Sequence, residues 1–201
     1  MNTSNDIYKT MEQRIRAAAG KTLPFSMQHQ VKSNWCWAAT SSSVSKFFNG
    51  SSTWSQCRIA SSILSQKCCD ELGYGSPCNV TNTLDDALGV VGCFHHMTDV
   101  SENFSVVKTE LSAGRPVCIR VEWYLSGNGH FLAIYGWSIA ADGTEMYEVD
   151  DPIYSQRSIS HSDLVRRYLR KGRWTHTYFV RGRAAANAAG GGFRDPLATG
   201  A

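Results

Sequence analysis

Thiol catalysis needs a thiolate, an imidazole to hold its proton, a group that fixes the imidazole, and donors for the oxyanion that develops on the substrate. This chain offers candidates for all four in Cys36, His130, Asp151 and Gln30. Cys36 lies near the start of a helix expected over 33–50, about two residues past caps supplied by Ser33 and Asn34. Unpaired backbone N–H groups and the positive end of the helix dipole favour a thiolate there. On placement alone, a buried cysteine with no chemical role is the ordinary reading. Gln30 changes that, because six residues before Cys36 its amide stands at the mouth of the same helix, within reach of an oxyanion.

His130 follows Ser126-Gly127-Asn128-Gly129 and opens the apolar run Phe131 to Tyr135. A histidine released from a glycine turn at the head of a buried strand has one ring edge toward a cleft and the other toward its scaffold. Alone it reads equally well as a satisfied strand-end residue. The run Tyr147 to Val149, ending at Asp150-Asp151-Pro152, lies one hairpin later. Two antiparallel strands joined by the Ala141-Asp142-Gly143-Thr144-Glu145 turn return the end of the second to the head of the first. Asp151, fixed by Pro152, is then preferred as the acceptor for the ring nitrogen facing away from the thiol. Strand alternation sends Asp150 to the opposite face, and the sequence does not settle which of the two turns inward.

The elements that must position these residues fall into two textures. Trp37, Ala38, Ser41, Val44, Phe47 and Phe48 recur at helical spacing, closed by Asn49-Gly50. The many serines there make a weak helix that burial must hold. Further helices are expected from a Ser55 cap through Leu64, at Leu84, Ala87, Leu88 and Val91, and around 106–114. Strand-like runs follow at 115–124, 130–139, 145–152 and 174–182, with a basic helix near 162–171. Helices first and antiparallel strands second predict an α+β fold. Residues 1–22 read as a polar, helix-compatible lead-in, 23–183 as the domain, and 184–201 as a disordered Gly/Ala-rich tail.

A net charge of +3 over 201 residues gives no argument for nucleic acid. The cluster Arg166, Arg167, Arg170, Lys171 and Arg173 reads as the solvated face of an amphipathic helix. No stretch approaches the ~18 apolar residues of a membrane span, and the N-terminus has no apolar signal core. The expectation is a protein cytoplasmic as made, or exported by a specialised secretion system. Of seven cysteines, Cys57, Cys68, Cys69, Cys78, Cys93 and Cys118 are expected as mostly reduced, buried thiols, with disulfides among the first four as the alternative. Their spacing fits no zinc site, even with His95 and His96 as further ligands, so neither metal nor cofactor is expected. His161 and His176 read as structural or exposed, and Trp35, Trp37 and Trp123 as aromatic core rather than cleft.

Taken together, Gln30-x5-Cys36-Trp37-Ala38, Gly129-His130-Phe131 and Val149-Asp150-Asp151-Pro152 resemble the papain clan of cysteine peptidases. The nearer likeness is to its short bacterial branches: effector proteases secreted into plant cells, and peptidases that trim Gly-Gly leaders from bacteriocins. Asn34-Trp35 before Cys36, the Cys68-Cys69 pair with Cys78-Asn79, and Gly114-Arg115-Pro116-Val117 also look like the effector branch. The resemblance covers residues 22–182. It implies a helical half carrying Cys36, an antiparallel β-rich half carrying His130 and Asp151, and a cleft between them. It further implies a Cys-His-Asp endopeptidase acting on protein or peptide substrates, in an effector or toxin, with Gln30 and the Cys36 N–H as the oxyanion hole. Two rival functions remain: an acyltransferase, transglutaminase or deamidase using the same triad, and a binding module on a retired protease fold. No activating or immunity partner can be identified. Only the Cys-Trp of the plant papain signature survives, and the third member is Asp rather than Asn.

Overall fold

Apolar and aromatic runs in the second half of the chain form most of one antiparallel sheet, and helices from both halves pack against it. The structure, a computed structural model, describes residues 20–70 and 76–182. The predicted 184–201 tail and most of the 1–22 lead-in lie outside the described residues. Chain order is β1 (Gly20–Thr22), α1 (Cys36–Phe48), α2 (Gln56–Leu64), α3 (Leu84–Val90), β2 (Phe94–Thr98), α4 (Phe104–Ser112), β3 (Val117–Trp123), β4 (Gly129–Ile139), β5 (Glu145–Asp150), β6 (Arg157–Ser160), α5 (His161–Arg167) and β7 (Gly172–Val180). The sheet runs β2-β7-β3-β4-β5-β6, with β1 also paired to β4. The fold is α+β, as the order of textures predicted.

β4 is the central strand because both its faces are covered. Phe131 to Trp137 are all buried or a glycine, an unbroken apolar run rather than an alternating one. It pairs with β3 from Gly129 to Ile134 and with β5 from Ala133 onward, shifting register near Tyr135. α1 is buried along its first ten residues, which holds it despite its serines. Ser41 and Ser43 return their hydroxyls to the carbonyls of Trp37 and Ala39, 2.8 and 2.7 Å away.

Several expectations need correction. β1, β2 and β6 were not anticipated as strands: Gly20–Thr22 closes the supposed helical lead-in, and Phe94–Thr98 and Arg157–Ser160 are mostly polar edge segments without apolar alternation. α1 begins at Cys36, not Ser33, and Trp35 caps it without a side-chain bond. Asn34 instead bonds Asn79, giving Nδ2 to its carbonyl at 2.8 Å and taking its backbone N–H to Asn79 Oδ1 at 3.0 Å. The basic helix stops at Arg167 rather than 171, because Leu169 and Arg170 turn left-handed with φ of 52° and 59°.

The cysteines differ as well. Cys57 bonds Cys69 and Cys68 bonds Cys78, with Cα separations of 4.9 and 5.6 Å. The expectation of reduced thiols rested on compartment, whereas the chain doubles back after α2 and brings both pairs within bonding distance. Cys36, Cys93 and Cys118 take no part in these bridges. Cys68 and Cys78 are separated by 10 residues. For a loop of that size, replacing both by Ser is expected to cost about 3 kcal/mol in urea unfolding. A loss under about 0.5 kcal/mol would show that the bridge does not constrain the unfolded chain.

Candidate active site

The entry to α1 is fixed from outside. The Trp35 and Trp37 indoles donate to the carbonyls of Cys78 and Val80 at 2.7 and 3.1 Å. Both rings are fully buried, so the tryptophans flanking Cys36 anchor the helix and do not line a cleft. As the first residue of α1, Cys36 carries a backbone N–H without an intrahelical acceptor.

His130 comes from the other half, out of the turn between β3 and β4. Gly127 takes a positive φ of 68° there and its N–H closes onto Trp123 O at 2.8 Å. The imidazole Nε2–H donates to both Asp151 oxygens at 2.9 Å. The Cys36 side chain lies near enough to the same imidazole to favour its protonated form. The Trp123 ring stacks on the imidazole at 5.6 Å and 24°, and Tyr154 meets it edge-on at 6.0 Å. Trp123, read from sequence as core, thus covers His130. It lies close against Gly172, where a Cβ would come 2.8 Å from its ring.

Asp151 is 1% exposed and its carboxylate is held on every side. Oδ1 accepts from the N–H groups of Ile153 and Tyr154 at 2.7 and 2.9 Å, and Oδ2 from the Tyr168 hydroxyl at 2.7 Å. Asp150 faces elsewhere, accepting from Met27 N–H and Gln156 Nε2 at 2.9 and 3.0 Å. Burial alone would raise the Asp151 carboxyl, but the His130 hydrogen bond and charge, with the two backbone donors, hold it below its usual range. For His130, burial is the largest single influence and lowers the pKa. The Asp151 hydrogen bond and the Cys36 contact together outweigh it and raise the imidazole to about 9.

Gln30 sits at the helix mouth, yet its Nε2 donates to the carbonyls of Lys32 and Ser33 at 2.9 and 2.6 Å. Its Oε1 is buried without a partner among the described residues. The structure therefore brings Cys36, His130 and Asp151 together, and leaves the Gln30 amide turned into its own loop. A groove of about 480 Å³ runs alongside, lined by His29, Gln30, Lys32 and Ser33 from the helical half and Pro152 and Ile153 from the other. Among the described residues, no cluster of three or more His, Cys, Asp or Glu side chains could hold a metal ion.

The family model of the papain-like cysteine protease AvrRpt2 matches residues 17–168. The chain belongs to this family. It is a papain-like cysteine peptidase, a hydrolase, and protein is the substrate class its family implies. Similar solved structures include a C39-like peptidase from Bacillus anthracis, 12% identical with a TM-score of 0.49 over 81% of this chain and 98% of that one. Another is the bromelain protease from Ananas comosus bound to the E64 inhibitor, 14% identical with a TM-score of 0.44 over 83% and 95%. A third is the ragweed pollen cysteine protease Amb a 11 in its proform, 13% identical with a TM-score of 0.44 over 88% and 62%. No curated protein matches the peptidase in sequence. No described helix is long and apolar enough to cross a membrane.

Sequence reasoning missed Tyr168 and Tyr154, which touch Asp151 and His130 directly. Tyr168 reads only as one apolar position in a basic segment, and nothing in its spacing signals a carboxylate partner. The raised His130 and lowered Asp151 make the peptidase's stability depend on pH. The His130 contribution is complete below its ordinary value of 6.5 and is lost as pH rises through about 9. The Asp151 contribution is present above its ordinary 3.8 and is lost as pH falls through its lowered folded value. Unfolding free energy is expected to fall by up to about 3 kcal/mol between pH 6.5 and 9, whereas a His130→Gln variant, less stable throughout, stays flat over that window. Parallel slopes in the two proteins would contradict the ion pair.

Proposed function

We propose that the peptidase is an endopeptidase working by a Cys36–His130–Asp151 mechanism. The observation that carries this reading is the buried His130 imidazole, hydrogen-bonded to the Asp151 carboxylate and held in its protonated form partly by the neighbouring Cys36. Because Nε2 is occupied by Asp151, Nδ1 is the nitrogen that takes the Cys36 proton. The resulting thiolate attacks the substrate carbonyl carbon, forming a C–S bond and an oxyanion beside the Cys36 N–H at the head of α1. The imidazolium gives its Nδ1 proton to the leaving amine, the C–N bond breaks, and a thioester remains. Water then adds to the thioester, losing its proton to His130, and the C–S bond breaks to return the thiol and release the new carboxyl terminus. Gln30 serves as the second oxyanion donor by exchanging one carbonyl of its loop for the substrate oxygen.

The groove between the Gln30 loop and Pro152-Ile153 is the proposed seat of the extended substrate. Export is supported by the two disulfides, which belong to oxidising compartments. A secreted effector, acting on proteins of another cell, agrees with the motifs that resemble that branch.

Cys36→Ala is expected to abolish cleavage while leaving unfolding unchanged within ~1 kcal/mol, checked by mapping new N-termini across a proteome exposed to each protein. Retained cleavage sinks the assignment, and cross-links or one-dalton shifts in place of new termini convert it to acyl transfer or deamidation. The alkaline limb of kcat/KM should fall near pH 9, where His130 loses its proton. In Asp151→Asn the limb should drop toward an ordinary imidazole value of ~6.5. An unmoved limb would remove Asp151 from the mechanism.

A further inference from the structure

We propose that the Tyr168 hydroxyl is a positioning group for His130, setting the plane of the Asp151 carboxylate on which the imidazole rests. This rests on the Cys36–His130–Asp151 reading above.

The two oxygens of Asp151 are held differently. Oδ1 is tied to the main chain by the Ile153 and Tyr154 N–H groups. Oδ2, apart from His130, has the Tyr168 hydroxyl alone among the described residues. A carboxylate pinned at one oxygen still turns about its Cβ–Cγ bond, a soft torsion with broad wells. The second donor removes that freedom, and because Nε2 lies 2.9 Å from both oxygens, the carboxylate plane sets the ring orientation.

Tyr168 is built to hold still. It is fully buried, its ring stacks on Trp123 at 6.1 Å and 27°, and the Arg157 guanidinium covers it at 5.8 Å. Trp123 in turn stacks on His130, so one aromatic layer spans from the positioning tyrosine to the imidazole. Burial and the neighbouring Asp151 charge both push the phenol's pKa up, so the hydroxyl stays protonated and must donate. The backbone after it is locked in a costly turn: Leu169 and Arg170 are both left-handed, and Gly172 N–H closes onto Tyr168 O at 3.1 Å. In the proposed reaction His130 gains and loses a proton at Nδ1 twice per turnover, and each transfer needs the ring at one angle.

Tyr147 supplies the internal control. It is as buried as Tyr168 and lies in the same core, but its hydroxyl has no partner among the described residues. Tyr168→Phe is expected to lower kcat by roughly tenfold to a hundredfold with KM within about twofold. Tyr147→Phe is expected to leave both constants unchanged. In proteins with ¹⁵N-labelled histidine, the His130 Nε2 proton is expected as a slowly exchanging downfield resonance that Tyr168→Phe shifts or broadens and Tyr147→Phe does not. A Tyr168→Phe protein with wild-type kcat and an unchanged resonance overturns the proposal. So does an equal fall in kcat in both variants, which would mark packing alone. If the wild-type protein cleaves nothing while the resonance still responds to Tyr168→Phe, the catalytic reading fails and the positioning role stands.

Discussion

The structure turns on one buried carboxylate. An ionised Asp151 shut away from water is strongly unfavourable unless donors replace its hydration, and here its own corner supplies two while the others come from elsewhere in the chain. β4 delivers His130, the corner after β5 delivers two N–H groups, and the turn between α5 and β7 delivers Tyr168. β4, the corner after β5 and the turn before β7 are thereby committed to one point. The same arrangement raises His130, because an imidazole against a fixed anion keeps its proton. The arrangement that permits the burial of charge thus also sets the protonation of the imidazole proposed as the base.

The neighbouring carboxylate has a different task. Asp150 ends β5 facing the extended segment before α1, where it takes the Met27 N–H, and Pro152 O takes the N–H of Gln30. The three-residue corner Asp150-Asp151-Pro152 therefore registers the β-rich half on the helical half. Gln28 completes the join by giving its N–H to Ser43 Oγ and its amide to Ser42 Oγ, each at 2.9 Å. This gives Ser42 and Ser43 of α1 a role. They weaken the isolated helix, but they give a buried helix polar sockets for the strand of chain that leads to Cys36.

Among the described residues, the fold class, four of seven strands and the existence of five helices were legible, because each rests on periodicity, which the sequence displays directly. The proximity of His130 to the end of β5 was legible too, since hairpin geometry alone requires it. What could not be read shares a cause. β2 and β6 are polar edge strands specified by their partners, not by their own residues. Tyr168 reaches Asp151 only through the left-handed turn at Leu169 and Arg170, and neither residue type announces that conformation. The Ser33 and Asn34 caps failed for the same reason, since Asn34 is claimed by Asn79, 45 residues away, whereas Ser55 caps α2 as its type and place predicted.

Fixing the two halves of the site by different means has a consequence for the chemistry. The thiol side is held covalently at one remove: the Cys68–Cys78 bridge tethers the loop whose Cys78 and Val80 carbonyls receive the tryptophans on either side of Cys36. The imidazole side is held by charge and hydrogen bonds that change strength with protonation. In the proposed mechanism this is a sound division, because the Cys36 sulfur would have to stay in place through attack and release while the His130 ring exchanges protons. Cys36 is 7% exposed and His130 only 3%, so little water competes for either partner. The Gln30 amide, spent on two carbonyls of its own loop, could exchange one of them for another acceptor. In the proposed mechanism a substrate oxygen arriving beside Cys36 would draw that exchange at the moment charge develops on it, when such a donor stabilises most.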